Sequence, residues 1–273
     1  MGTIEQRIEV PGRQPDYSGY EFSAEEIAKG AHRGFVGGVW DSHGLHQLEF
    51  MQRQGLTPDQ TFLDVGCGCF RAGRFFVDTL DPGHYYGVDA NLSLLQIGYD
   101  VELTDEQRER LPIANLRAND RFDVDFGVQF DFAVAQSVFT HVSLNHIRLC
   151  LYRVAKVMKP GGVFYATFFE RGPSTPLDTI LGADKVKPLF TEKNVFWYYR
   201  NDLKWAAQFS PWEFRYIGDW GHPRGQKMVA FTRVADESAV AAPPAQRSTG
   251  TGPVVRRFVR RGRRWAARRL DPS

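Results

Sequence analysis

Short β-rich runs alternate with helical patterns from about residue 45 to residue 233, and this alternation restricts the fold most. The strand candidates are Thr61–Gly66, His84–Asp89, Ile113–Ala118, Phe130–Gln136, Gly162–Phe169, Phe214–Asp219 and Lys227–Arg233. Helical patterns fall at Leu45–Gln54, Arg71–Leu80, Asn91–Asp100, Ser143–Met158 and Arg200–Gln208. Ser143 is a fitting N-cap, and Lys159-Pro160-Gly161-Gly162 is a helix stop. Strand–helix alternation requires crossover connections, hence parallel strands with helices on both faces. The last two strands are joined by a short turn, WGHPRGQ, which permits only an antiparallel pair. The expected fold class is therefore α/β: a doubly wound, mostly parallel seven-stranded sheet with a terminal antiparallel hairpin, Rossmann-like.

The chain has 273 residues, enough for one large domain with appendages. We divide it into an N-terminal extension (1–30), a domain (31–235) and a tail (236–273). The domain carries an aromatic-rich insert at about 171–213. The tail is an Ala/Pro/Ser/Thr/Gly linker followed by an Arg-rich end, expected to be disordered. It holds nine arginines against three acids, so the net charge of +2 divides into a basic tail and a mildly acidic body. An acidic body opposes nucleic-acid binding, whereas the tail is a candidate contact for a polyanion. No apolar run is long enough to span a membrane, and the N-terminus lacks the apolar core of a secretory signal. Three cysteines, Cys67, Cys69 and Cys150, point to a reducing cytoplasm rather than a disulfide framework. No motif fixes a metal ion.

Asp64-Val65-Gly66-Cys67-Gly68 lies where the first long strand passes into a helix, a place where glycines let a ligand approach the backbone. Asp89 ends the next strand, 21 residues after Gly68, where a carboxylate accepts from a ribose diol. A dinucleotide site would need a third glycine where Arg71 stands, and an acid two residues before the first glycine is a poor neighbour for a pyrophosphate. It suits a cationic ligand with an amino group, such as S-adenosylmethionine.

Asp64–Gly68, Asp89, Asp131–Gln136 and Lys159–Gly162 together resemble the successive motifs of class I S-adenosylmethionine-dependent methyltransferases, over about residues 37–233. The family often has a further glycine where this chain has Phe70, so the bend needs another accommodation, with Gly73 a candidate. The resemblance implies S-adenosylmethionine as cofactor. Its candidate contacts are Asp64, Gly66, Cys67, Gly68, Asp89 and Ala90, then Asn119 and Asp120 near the adenine, Gln136, and Trp40 and Gln47 from the segment before the first strand.

Methyl transfer from a sulfonium needs a positioned acceptor and a place for its proton. His141, just past the fourth strand of the pattern, is the first candidate base, and Glu170, at the end of the fifth, is the second. Trp197, Tyr198 and Tyr199 in the insert and His222 in the hairpin turn are candidate substrate contacts. The spellings Q-S-V-F-T-H and F-Y-A-T-F-F-E resemble bacterial methyltransferases of sugar-related pathways. The expected activity is O-methylation of a saccharide or other small-molecule hydroxyl. The alternatives are a nucleic-acid acceptor and a carboxylate or amine on a small molecule.

Overall fold

The structure, a computed structural model, describes residues 5–6, 17–176 and 195–235. The Arg-rich tail and part of the insert, 177–194, lie outside the described residues. The strands are β1 (Glu5–Gln6), β2 (Phe62–Val65), β3 (Tyr85–Asp89), β4 (Leu116–Ala118), β5 (Phe130–Ala135), β6 (Met158–Glu170), β7 (Trp197–Tyr198), β8 (Trp212–Asp219) and β9 (Lys227–Arg233). The helices are α1 (Ala24–Ala28), α2 (Ala31–Phe35), α3 (Trp40–Arg53), α4 (Gly73–Thr79), α5 (Leu92–Ile97), α6 (Asp105–Arg110), α7 (Leu144–Val157) and α8 (Arg200–Ala207).

One sheet runs in the order β1-β4-β3-β2-β5-β6-β9-β8, with β7 paired to β6. The pairs from β1 to β6 are parallel, whereas β9 is antiparallel to both β6 and β8. This is the expected doubly wound sheet with its terminal hairpin. The two-residue strands β1 and β7 are additions that too short a pattern conceals.

Strand periodicity divides the core between two faces. Leu63, Val65, Ala133 and Ala135 point to the face covered by α7 and α8, where Ile147, Leu151, Val154 and Leu203 pack. Phe62, Phe132 and Val134 point to the other face, against Met51 of α3, Phe76 of α4 and Leu95 of α5. In α7 the buried positions Ile147, Cys150, Leu151 and Val154 form one helical stripe, and the Ser143 hydroxyl accepts from the His146 amide as the N-cap. The Trp212 indole donates to the Leu151 carbonyl (2.9 Å), fixing β8 to that helix.

Several elements depart from the sequence pattern; β6, for one, already begins at Met158 rather than Gly162. Helix α3 begins at Trp40 rather than Leu45, after Val39 turns through a left-handed backbone (φ 49°). Residues Ile113–Asn115 form a 3₁₀ turn, so β4 starts only at Leu116. Helix α6 was not expected; its signal is the capping box Thr104–Gln107, in which both reciprocal bonds are present.

The missing glycine is answered by Phe70 itself. It adopts a left-handed backbone (φ 62°) and is fully buried. Its ring lies between two glycines: a Cβ on Gly73 would come within 2.9 Å of it, and one on Gly98 within 2.6 Å. Gly98 also presses on the Cys69 backbone, and the chain widens there from α5 into a π turn at Gly98–Glu102. Gly98→Ala is expected to lower stability by about 1–3 kcal/mol, the cost of overpacking a filled core. Gly34→Ala, where a Cβ meets nothing within 4 Å, is the control. Urea unfolding of both variants measures the difference.

Candidate functional site

The site is built on the carboxyl ends of β2, β3 and β5. After Val65 the backbone turns with left-handed Gly66 (φ 79°) and Gly68 (φ 56°). At Gly66 a Cβ would lie 2.3 Å from the Val138 side chain, and at Gly68 3.0 Å from Val36, so both close approaches need glycine. Asp89 closes the loop. One carboxylate oxygen accepts from the Gly68 amide (2.9 Å) and the Tyr17 hydroxyl (3.3 Å), the other from the Asn91 amide (2.9 Å). Burial raises the Asp89 carboxyl, and these hydrogen bonds oppose the rise. Asp64 is buried beside it and accepts from the Tyr85 hydroxyl (2.9 Å). Burial pushes its carboxyl up to about 7; the Tyr85 hydrogen bond opposes this and the charge of Asp89 adds to it.

The loop is covered from above by the turn between α2 and α3. Arg71 donates to the carbonyls of Val36 (3.0 Å) and Gly38 (3.1 Å). Burial lowers its guanidinium to about 10, and its Nε has no partner among the described residues. The Trp40 ring is flanked by the guanidiniums of Arg33 (5.0 Å) and Arg74 (5.3 Å). Gln47 is buried on α3, and Cys67 is buried against Gly87. Ala90 follows Asp89 at the strand end and is half-buried.

Past β4, Asn119 is spent on its own loop: it donates to the Asp123 carbonyl and accepts from the Arg121 and Asp123 amides. Asp120 is different, with a buried Oδ1 that has no partner among the described residues. Phe122 adopts φ 58° and buries its ring close by in sequence. The residues therefore fit an adenosyl cofactor with an amino-acid arm. Asp120 offers an unused acceptor at the expected adenine end, Asp89 a carboxylate for a ribose diol, and Asp64 and Arg71 opposite charges for a zwitterion.

The opposite side of the crevice begins at Gln136 and Ser137, the latter with φ 61°. His141 follows Thr140, and its amide bonds to the Val138 carbonyl (2.9 Å). The residue keeps a solvent-exposed surface, and its imidazole makes no hydrogen bond among the described residues. Surrounding protein, and then Arg224, hold it below the ordinary histidine value. The register of β6 with β9 pairs Phe168 with Lys227, which brings the hairpin turn 220–226 to this same edge. There His222 and His43 meet edge to face with ring centroids 4.7 Å apart, and His46 stacks on Trp220 at 4.8 Å. Gln136 bonds to His43 (3.3 Å).

Glu170 is engaged elsewhere: its oxygens accept from Arg200 (3.1 Å) and from the Tyr216 hydroxyl (2.5 Å). Of the insert aromatics, Tyr198 donates to the Val142 carbonyl (2.5 Å) and belongs to the core beside α7, while the Tyr199 hydroxyl accepts from Arg171 (2.8 Å). Trp197 stacks on Phe169 at 4.8 Å. All three are thus engaged by neighbouring protein groups in this structure. Three groups at the site had not been singled out by the sequence pattern: Tyr17, Arg71 and His43. Tyr17 and His43 reach it only through tertiary folding, whereas Arg71 was visible as the charged residue three places after Gly68. Among the described residues no group of three or more His, Cys, Asp or Glu is arranged to hold a metal, and no helix is long and apolar enough to cross a membrane.

Comparison with known proteins agrees with this fold. Residues 63–164 match the family described as "Methyltransferase domain". Phosphoethanolamine N-methyltransferase 1 of Arabidopsis thaliana is 26% identical over 148 residues, which cover 53% of this chain. The match spans only 28% of that protein's length. Among solved structures, CalS10, an amino pentose methyltransferase from Micromonospora echinaspora, superposes with a TM-score of 0.53 at 18% identity, over 79% of this chain and 100% of that one. KedS8, a sugar N-methyltransferase from Streptoalloteichus, gives a TM-score of 0.53 at 17% identity, over 79% and 96%. At these identities the likeness establishes the fold.

The raised Asp64 carboxyl makes a prediction. An amino group pairs with the carboxylate only when it is ionised. Affinity for S-adenosylhomocysteine should therefore fall as pH drops through about 7, by up to about tenfold per unit, and level off above it. Asp64→Asn should bind more weakly and with a flatter pH profile. Calorimetry from pH 5.5 to 8.5 reads both; an equal profile in the two proteins would rule out Asp64 as the titrating group.

Proposed function

We propose that this chain, whose residues 63–164 match a methyltransferase domain, is a class I S-adenosylmethionine-dependent methyltransferase that transfers a methyl group to a hydroxyl of a saccharide or similar small molecule. The observation that carries the reading is one edge of one sheet bearing both the glycine loop with its two acids and an unpartnered imidazole.

When bound, S-adenosylmethionine supplies an electrophilic methyl group and a neutral thioether leaving group. The chain's own residues do the rest. Gly66 and Gly68 let the backbone come close, with Cys67 between them. Asp89 accepts from the ribose diol, and the Tyr17 hydroxyl yields its place on Oδ2. Asp120 accepts from the adenine amine, beside Asn119 and Ala90. Asp64 takes the α-amino group, and the free Nε of Arg71 takes the carboxylate. Trp40, Gln47 and Gln136 complete the wall.

His141 takes the acceptor's proton. A hydroxyl is a weak nucleophile until that proton is drawn off, and an imidazole with a lowered proton affinity is already in the basic form at neutral pH. Glu170 is the weaker candidate, because Arg200 and Tyr216 occupy both its oxygens. The names of CalS10 and KedS8 support a sugar acceptor and put a nitrogen forward as the second reading. The positive charges of Arg71 and Arg224, which both act on the histidines of this edge, favour the hydroxyl over a protonated amine.

With labelled S-adenosylmethionine and panels of sugars, amino sugars, phenols and RNA, transfer to a sugar hydroxyl is the expected outcome. His141→Ala should then lower turnover by about 10²–10⁴-fold with cofactor affinity little changed. The wild-type rate should rise with pH through an ionisation below the ordinary histidine value and stay flat above it. Methylation confined to amino sugars would move the reading to nitrogen, and unimpaired His141→Ala would remove the base role.

A further inference from the structure

A set of hydrogen-bonding atoms at the acceptor edge is left over by the reaction just described. His43, His222, Gln136 and Trp220 are each at least nine-tenths buried, at 4%, 7%, 8% and 8% exposure. Each carries a buried polar atom without a partner among the described residues: His43 Nδ1, His222 Nε2, Gln136 Oε1 and Trp220 Nε1. Buried polar atoms are rarely left unpaired, because each then loses its hydration without recompense, so four in one cluster call for a ligand.

The hydrogen bonds they do make decide which of these atoms bear protons. His222 Nδ1 accepts from the backbone amide of Arg224 (3.0 Å), and an amide can only donate. The proton of neutral His222 is therefore on Nε2, the free atom. For His43 the argument runs through a chain of bonds. The Ser137 amide donates to Thr167 Oγ1 (2.7 Å), and Thr167 donates to Gln226 Oε1 (2.7 Å). Ser137 Oγ donates to the same oxygen (3.2 Å), leaving a lone pair for the Gln136 amide nitrogen (3.2 Å). That nitrogen's other proton goes to His43 Nε2 (3.3 Å), so His43 bears its proton on Nδ1, again the free atom. Both rings stay neutral: burial and the charges of Arg71 and Arg224 hold His43 down to about 3 and His222 to about 4. The free set is then three N–H donors, of His43, His222 and Trp220, with one acceptor, Gln136 Oε1. Arg224 completes it, anchored across the crevice by its bond to the Gly37 carbonyl (2.6 Å) and acting on His141, His43 and His222 alike.

Donors outnumber acceptors, and the nearby fixed charges are positive. A neutral sugar, whose hydroxyls each donate as well as accept, would leave part of this set unmatched. An oxyanion accepts only. We infer that the acceptor carries an oxyanion, a carboxylate or a phosphate, seated on the free N–H groups of His43 and His222 under Arg224, with Gln136 Oε1 taking a neighbouring hydroxyl. This deepens the proposed function and rests on its reading of the edge as the acceptor side.

The test uses the full chain saturated with S-adenosylhomocysteine. It is titrated separately with acetate, inorganic phosphate and, as a neutral control, ethylene glycol, while the ¹⁵N–¹H signals of the histidine side chains are followed. Saturable shifts at His43 and His222 with acetate or phosphate and none with the glycol are expected; the stronger of the two anions names the group. Arg224→Gln, an exposed turn residue, and His222→Phe should each weaken the anion by tenfold or more while S-adenosylhomocysteine still binds. Circular dichroism and thermal unfolding verify that both variants fold. No saturable shift, or equal anion binding in Arg224→Gln, would overturn the inference. If the variants instead lose S-adenosylhomocysteine, the donors serve the cofactor's own carboxylate and the inference is wrong. If the wild type fails to bind S-adenosylhomocysteine at all, it is the cofactor reading that fails, a separate result.

Discussion

The bond from the Gly68 amide to the Asp89 carboxylate ties the tip of one strand to the tip of the next, and the site is arranged about it. A buried carboxylate is costly unless hydrogen bonds compensate it. Asp89 meets that requirement with the Gly68 and Asn91 amides and the Tyr17 hydroxyl. Those same bonds fix the glycine loop against β3, set Asn91 to cap α5, and draw residue 17 over the crevice. The fixed loop then places Arg71 under the α2–α3 turn, where its two bonds hold the cover down. One carboxylate thus organises elements from both ends of the first half of the chain. The interaction also explains why the glycines cannot be relaxed to alanine: Val138 and Val36 occupy the space that a side chain would need.

The charges are laid out in sequence across the crevice. Asp64, Asp89 and Asp120 lie at or just past the ends of β2, β3 and β4, with Arg71 on the loop after β2, whereas Arg224 and the imidazoles of His141, His43 and His222 gather about the end of β5 and the turn before β9. On the proposed function, the acidic side suits the sulfonium cation of the cofactor. On the same proposal, the proton released by a hydroxyl would pass the other way, to His141, whose proton affinity burial of part of the ring and the charge of Arg224 lower. Separating the two signs keeps a carboxylate from pairing with His141 and raising its proton affinity.

What the sequence makes legible is what local physics determines. The four-residue run of β2, the stripe of α7 and the Ser143 cap are set by period and capping, and the glycine loop by the need for positive φ. The antiparallel hairpin follows from the length of its turn. What stays hidden is decided by contacts between distant residues. Tyr17 and Asp89 are separated by 72 residues, and nothing near Tyr17 signals that its hydroxyl will find a buried acid. His43 and His222 come together only because β9 is laid antiparallel to β6. Glu170 and the insert tyrosines illustrate the converse: a chemically apt side chain at the right edge can be consumed by Arg200, Tyr216, Val142 or Arg171.

Phe70 shows how a departure from a motif can be compensated out of sight. A glycine at a left-handed position avoids the cost that a side chain incurs there, on the order of 1–2 kcal/mol. Here the residue is a phenylalanine, so the cost must be offset by what its ring does. The ring is fully buried, and burying a phenylalanine contributes roughly 1.5–3 kcal/mol, enough to cover the strain. That burial exists because Gly73 and Gly98 have no side chains to obstruct the ring. The glycine the motif lacks has in effect been moved to two other places, one in the helix that follows the loop and one in the next. Gly73 was readable as a candidate because it lies close in sequence. Gly98 was not, because it approaches Phe70 through the packing of the helix after β3 on the loop after β2. The loop's rigidity is consequently shared between three residues, and the aromatic wedge couples the cofactor loop to α5 and the π turn that ends it, a coupling a third glycine could not have provided.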